Sequence, residues 1–104
     1  MMFPVHIQFQ GMACSEALRA VARGHALKLE SFAPDIMACL VTIDQAQKHK
    51  HQGRPFGVRI DLTLPEHELL VNRVQNEEAY VALRDAFDNM KRQLEGVVRQ
   101  HQAA

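Results

Sequence analysis

Reactive side chains are sparse in this chain of 104 residues. Cys14 and the adjacent Ser15 are its candidate nucleophiles, and His25 and His67 its candidate bases. An activated nucleophile needs its base within hydrogen-bond reach and a third group to orient that base. Nothing in the order of residues ties these four together, and there is no nucleophile elbow, phosphate loop or paired-carboxylate motif. Ser15, followed by Glu16 and an amphipathic stretch, is expected to cap a helix, and Cys39, inside an apolar run, to be a small core residue. His49-Lys50-His51 sets two imidazoles on alternate positions of an extended segment. Zinc takes four ligands, however, and the neighbouring lysines repel a cation. His6, His25, His67 and His101 fall at no spacing that completes a set. The expectation is a protein with no enzymatic activity, metal or cofactor.

What remains is charge. Twelve Lys and Arg balance twelve Asp and Glu, so net charge alone argues for no nucleic-acid partner, and distribution matters more than the sum. The charges are segregated. Lys48, Lys50, Arg54 and Arg59 crowd residues 45–59 without an acid. Residues 60–88 hold seven acids against Arg73 and Arg84, and beyond them Lys91, Arg92 and Arg99 face only Glu95. Such a chain presents a basic surface if the fold gathers its positive segments.

The elements that position these groups are legible in the hydropathy. One domain, residues 1–104, is all this length supports, and 47% hydrophobic with 23% charged residues is ordinary globular composition. No apolar run approaches the roughly 18–20 residues of a membrane span, the start lacks a signal-like core, and two cysteines without a CxxC pair suit a reducing compartment. A cytoplasmic protein is expected, with neither a membrane nor a small-molecule substrate as partner.

Val5, Ile7 and Phe9 alternate with His6 and Gln8 as a first strand, ended by Gly11. A helix capped by Ser15 carries an apolar face through Leu18, Ala22, Ala26, Leu29 and Phe32 or Ala33, and Pro34-Asp35 closes it. Gly24 in its middle costs about 1 kcal/mol relative to Ala, which predicts a close packing contact there. A second strand over 36–44 places Met37, Cys39, Val41 and Ile43 on one side, and residues 45–55 form a hairpin connection. Phe56 to Leu64 alternates most cleanly. Residues 68–74 pair back as a fourth strand, although Leu69-Leu70-Val71 leaves its inward face ambiguous. Tyr80, Leu83, Phe87, Met90, Leu94 and Val97 step by three and four along a final helix of about six turns, with Tyr80 expected to pack in the core with its hydroxyl at the rim, base stacking being the alternative. The order is β-α-β-β-β-α, an α+β class. It predicts a four-stranded mixed sheet, its first two strands parallel, with two helices on one face.

This order, together with Ser15-Glu16-Ala17-Leu18-Arg19, Lys28-Leu29-Glu30, Asp35-Ile36, Tyr80, Ala82-Leu83, Asp88 and Arg92-Gln93-Leu94, resembles the hibernation-promoting factor, or sigma-54 modulation, family of ribosome-associated proteins. The resemblance spans nearly the whole chain. It implies a double-stranded-RNA-binding-domain-like fold in a short family form. It also implies a translation inhibitor that binds ribosomal RNA of the small subunit where messenger and transfer RNA meet. By position it assigns Arg19, Lys28 and Arg92 to RNA, and helical spacing adds Arg23, Lys91 and Arg99. Here the end of the last helix holds fewer cations than the family's usual lysine run, and Lys48, Lys50 and Arg54 are expected to supply auxiliary phosphate contacts. The competing reading is a protein-interaction or regulatory module with the same fold and weak RNA affinity. An acid-free face holding Arg19, Lys28 and Arg92 would favour RNA, and interruption by Glu30, Asp85 and Glu95 would favour the module.

Overall fold

The computed structural model describes residues 3–46 and 54–103. Six elements follow in the expected order: β1 (Val5–Gln10), α1 (Glu16–Lys28), β2 (Ala38–Gln45), β3 (Phe56–Leu64), β4 (His67–Asn76) and α2 (Ala79–Ala103). The sheet runs β1-β2-β3-β4, with β1 parallel to β2 and the other pairs antiparallel. A parallel pair needs a crossover, and α1 supplies it.

Alternation builds the core. Ile7, Cys39, Val41, Ile43, Val58, Ile60, Leu62 and Leu64 point to one face and are buried there beneath Leu18, Ala22, Ala26 and Leu29 of the α1 segment and Leu83, Phe87, Met90 and Leu94 of α2. The other face bears His6, Gln8, Leu40, Arg59, Asp61 and Thr63 along an open groove of about 780 Å³. Among the described residues no helix covers it.

Local chemistry sets the ends of the elements. Gly11 takes φ +68° just after β1. The Ser15 hydroxyl accepts from the Leu18 N–H at 3.2 Å, the N-cap expected of it. α1 ends at Lys28 and tightens into a single 3-10 turn over Leu29–Ser31, where the Ser31 hydroxyl donates to the Lys28 carbonyl at 2.8 Å. The Asn76 side chain accepts from the Glu78 N–H as the chain enters α2. β3 and β4 are joined by Pro65 and Glu66, with Leu64 paired to His67, and the turn forces Glu66 to φ +69°.

Three local expectations are corrected and one ambiguity is settled. Met37 lies before β2 and is 56% exposed, because the strand begins only at Ala38. Tyr80 is 51% exposed: Ala79, Ala82 and Ala86 complete the buried face of α2 and leave the tyrosine on its flank. A Cβ on Gly24 would meet nothing within 4 Å, so no packing contact accounts for that glycine. The ambiguity at Leu69-Leu70-Val71 is settled by register. Leu69 and Val71 pair with Leu62 and Ile60 on the core side, Leu70 faces out, and a bulge then lets Val74 pair with Val58.

Candidate nucleic-acid interface

The sheet's open face is an electrically closed surface. Arg59 hydrogen-bonds both carboxylate oxygens of Asp61, at 3.2 and 3.4 Å. Arg73 does the same to Asp44, one bond measuring 3.1 Å, and Gln8 donates to the Thr42 hydroxyl at 2.9 Å. A phosphate approaching here meets arginines already neutralised.

The helical face differs. α1 and α2 run parallel: Ser15 and Leu18 share a hollow with Ala79 and Tyr80 at one end, and Lys91 lies over the Phe32 ring, 5.1 Å from its centroid, at the other. Midway, His25 stacks on Phe87 with centroids 5.2 Å apart and ring planes 15° from parallel. The helix starts carry Glu16, Glu77 and Glu78, and the later turns carry Lys28, Lys91, Arg92 and Arg99. This polarity suits the helix dipoles at Lys28, in the last turn of α1, and at Arg99 near the end of α2.

The expected cations therefore fall into separate groups. Nine residues at about 100° each put Lys28 on the flank of α1 opposite Arg19. Arg19 faces β1. Its Nη1 donates to the Ile7 carbonyl at 3.2 Å, its guanidinium sits 5.5 Å from the Phe9 centroid, and Glu16 lies 3.6 Å from its Nε. β1 is an edge strand, so this side chain satisfies an outward carbonyl of the sheet. Arg23, one turn on, shares that flank and is exposed. Lys28, on the flank of α1 opposite Arg19, and Lys91, over the Phe32 ring, are both exposed, and Arg92 and Arg99, seven apart, project from the adjoining ridge of α2. Among the described residues none of Arg23, Lys28, Lys91, Arg92 or Arg99 is held in an ion pair.

Arg54 lies at the opposite end, at the base of the β2–β3 hairpin. Its Nε donates to the Ala46 carbonyl at 3.3 Å, and its own carbonyl accepts from Gln45. Lys48 and Lys50, like His49 and His51, lie outside the described residues. Among the described residues no group of three or more His, Cys, Asp or Glu is placed to hold a metal ion. No helix there is long and apolar enough to cross a membrane.

Acids interrupt the ridge. Asp85, Asp88 and Glu95 stand seven, four and three residues from Arg92 on the same side of α2, so no single acid-free face contains Arg19, Lys28 and Arg92. The cations that stand outside any ion pair among the described residues are Arg23 and Lys28 on α1 and Lys91, Arg92 and Arg99 on the later turns of α2. Sequence reasoning set His25 aside; its partners Phe87 and Asp88 are more than sixty positions away, and only its spacing of three from Lys28 on one helix was a local signal.

Residues 5–102 match the model of the family described as sigma 54 modulation protein / S30EA ribosomal protein. The fold is shared with a ribosomal subunit interface protein from Coxiella burnetii, at 15% identity and a TM-score of 0.76 over 98% of this chain and 100% of the other. It is shared too with the N-terminal domain of Protein Y from Thermus thermophilus, at 14% identity and a TM-score of 0.71 over 92% and 99% of the two chains. No curated protein sequence matches.

Proposed function

The chain belongs to the sigma 54 modulation protein / S30EA ribosomal protein family, and from that membership we propose that it is a ribosome-associated hibernation factor. In this reading it acts in the cytoplasm, without catalysis, by binding ribosomal RNA of the small subunit and occupying the messenger and transfer RNA sites. The observation that carries the reading is the family match over nearly the whole chain, joined by cations on the helical face that have no ion-pair partner among the described residues. Folded RNA is recognised largely through phosphate, 2′-hydroxyl and shape, which calls for a rigid body bearing fixed cations rather than a deep pocket.

Lys28, Lys91, Arg92 and Arg99 are the principal phosphate contacts in this proposal. Arg23 contacts from the far flank, and Lys48, Lys50 and Arg54 assist from the hairpin. Arg19 contributes chiefly by holding β1 against α1, since its guanidinium is engaged by Ile7, Phe9 and Glu16.

The acids on the α2 ridge favour a second reading, a protein-interaction module of the same fold. Co-sedimentation with small ribosomal subunits at two salt concentrations separates the two. Hibernation binding is expected to saturate, to weaken with salt in proportion to the phosphates neutralised, and to be lost in a Lys28→Glu/Lys91→Glu/Arg92→Glu variant. A folded wild type that stays in the supernatant at low salt overturns it in favour of the module.

A further inference from the structure

His25 is held in the groove between α1 and α2 with one ring face against Phe87. Among the described residues neither of its ring nitrogens makes a hydrogen bond. A half-buried imidazole whose nitrogens have no partner among the described residues, one turn from Lys28, has its polar edge left for a ligand from outside.

The charges facing it come from both helices. On α1, Lys28 stands three residues on and opposes a second positive charge; on α2, Asp88 next to Phe87 favours one. Arg84, three residues before Phe87, is engaged by Asp85, and Lys91, four after it, lies over Phe32. The sheet beneath presents apolar side chains.

We propose that His25 is a phosphate-contacting residue of the interface. It takes a proton from solvent as an RNA phosphate settles beside Lys28 at the ring's open edge, so that binding strengthens as the pH falls. The inference rests on the ribosome-binding reading above. In the free protein, burial and then Lys28 hold the imidazole below its ordinary value of 6.5, against the pull of Asp88, so the ring is uncharged near neutrality. A phosphate reverses the local field: it neutralises Lys28 and accepts a hydrogen bond from the imidazolium. The complex then binds one proton more than its parts between the free and bound pKa values, and affinity rises as the pH falls across that window. The lysines and arginines of the proposed interface are permanent cations; this contact is conditional.

The test is the affinity of the purified protein for small ribosomal subunits at about pH 6 and about pH 8, measured with the wild type, His25→Gln and His25→Arg, the pH window being that of histidine titration. The wild type is expected to bind about 3- to 10-fold more tightly at the lower pH, one proton transfer being worth up to its pKa shift. His25→Gln is expected to bind weakly at both pH values without that His25-dependent gain. His25→Arg restores tight binding at both, which separates loss of a charge from loss of fold. A His25→Gln variant that keeps the full wild-type pH dependence overturns the inference and leaves ribosome binding standing. Absence of binding by all three proteins at both pH values overturns the ribosome-binding reading and this one with it.

Discussion

Arg73 on β4 reaches over β3 to grip Asp44 on β2, and its guanidinium passes through the space that a side chain at position 57 would fill. Asp44, Gly57 and Gln75 are aligned across the three strands. A Cβ built on Gly57 would lie 2.7 Å from the Arg73 Cζ. The bulge puts Asn72 and Arg73 opposite the single residue Arg59, and the missing side chain at 57 leaves room for Arg73 to cross.

Gly57→Ala is therefore expected to displace Arg73 and cost about 1 kcal/mol, the scale of a partly exposed two-bonded pair. In an Arg73→Ala background the same change is expected to cost almost nothing, because nothing is left to displace. Urea unfolding of the four proteins in the cycle reads the coupling, and additive effects would sink the account.

Gly24 makes the opposite case. It lies exposed inside α1 with open space where its Cβ would go. Gly24→Ala is expected to stabilise the protein by about 0.5–1 kcal/mol through helix propensity and a less free unfolded chain. A lowered melting temperature would reveal a contact that the geometry does not contain.

The two thiols are expected to react at very different rates. Cys14 is exposed and Cys39 buried, and burial, reinforced by Asp61, pushes the Cys39 thiol up to about 12. A thiol reagent at mildly alkaline pH should modify one equivalent rapidly and the second only on unfolding. Two fast equivalents in the folded protein would contradict the placement of Cys39 in the core.

His25 should also leave a mark on stability in the absence of RNA. Its folded pKa is lowered from 6.5, mainly by burial, so near and below 6.5 the unfolded chain binds a proton that the folded chain resists. Stability is expected to fall as the pH drops through that range, until the folded-state value is reached. Thermal melts of His25→Gln should show a shallower fall than those of the wild type; identical slopes would contradict the assignment.

Local pattern alone carried much of this protein. Alternation in Val5-Ile7-Phe9 and from Phe56 to Leu64, Ser15 before an amphipathic run, and three-four steps from Leu83 to Leu94 are each properties of a few consecutive residues. They determined the element order, and that order with its short connections determined an α+β sheet backed by two helices. Tyr80 was misread because periodicity finds a stripe but not its width, and the alanines at 79, 82 and 86 widen it. Leu69-Leu70-Val71 stayed ambiguous because a strand with a bulge has no single phase, and only pairing with β3 decides which leucine turns inward.

The tertiary structure alone decided what each cation meets. Arg19 and Lys28 lie on one helix and are both basic, yet the packing of α1 between β1 and α2 sends the first to the sheet edge and leaves the second on the opposite flank, beside His25. His25 meets Phe87 for the same reason. Spacing along a helix fixes the angle between two side chains, but which neighbour each flank meets is set by long-range packing of apolar stripes against a shared sheet face, and that information is spread over the whole chain.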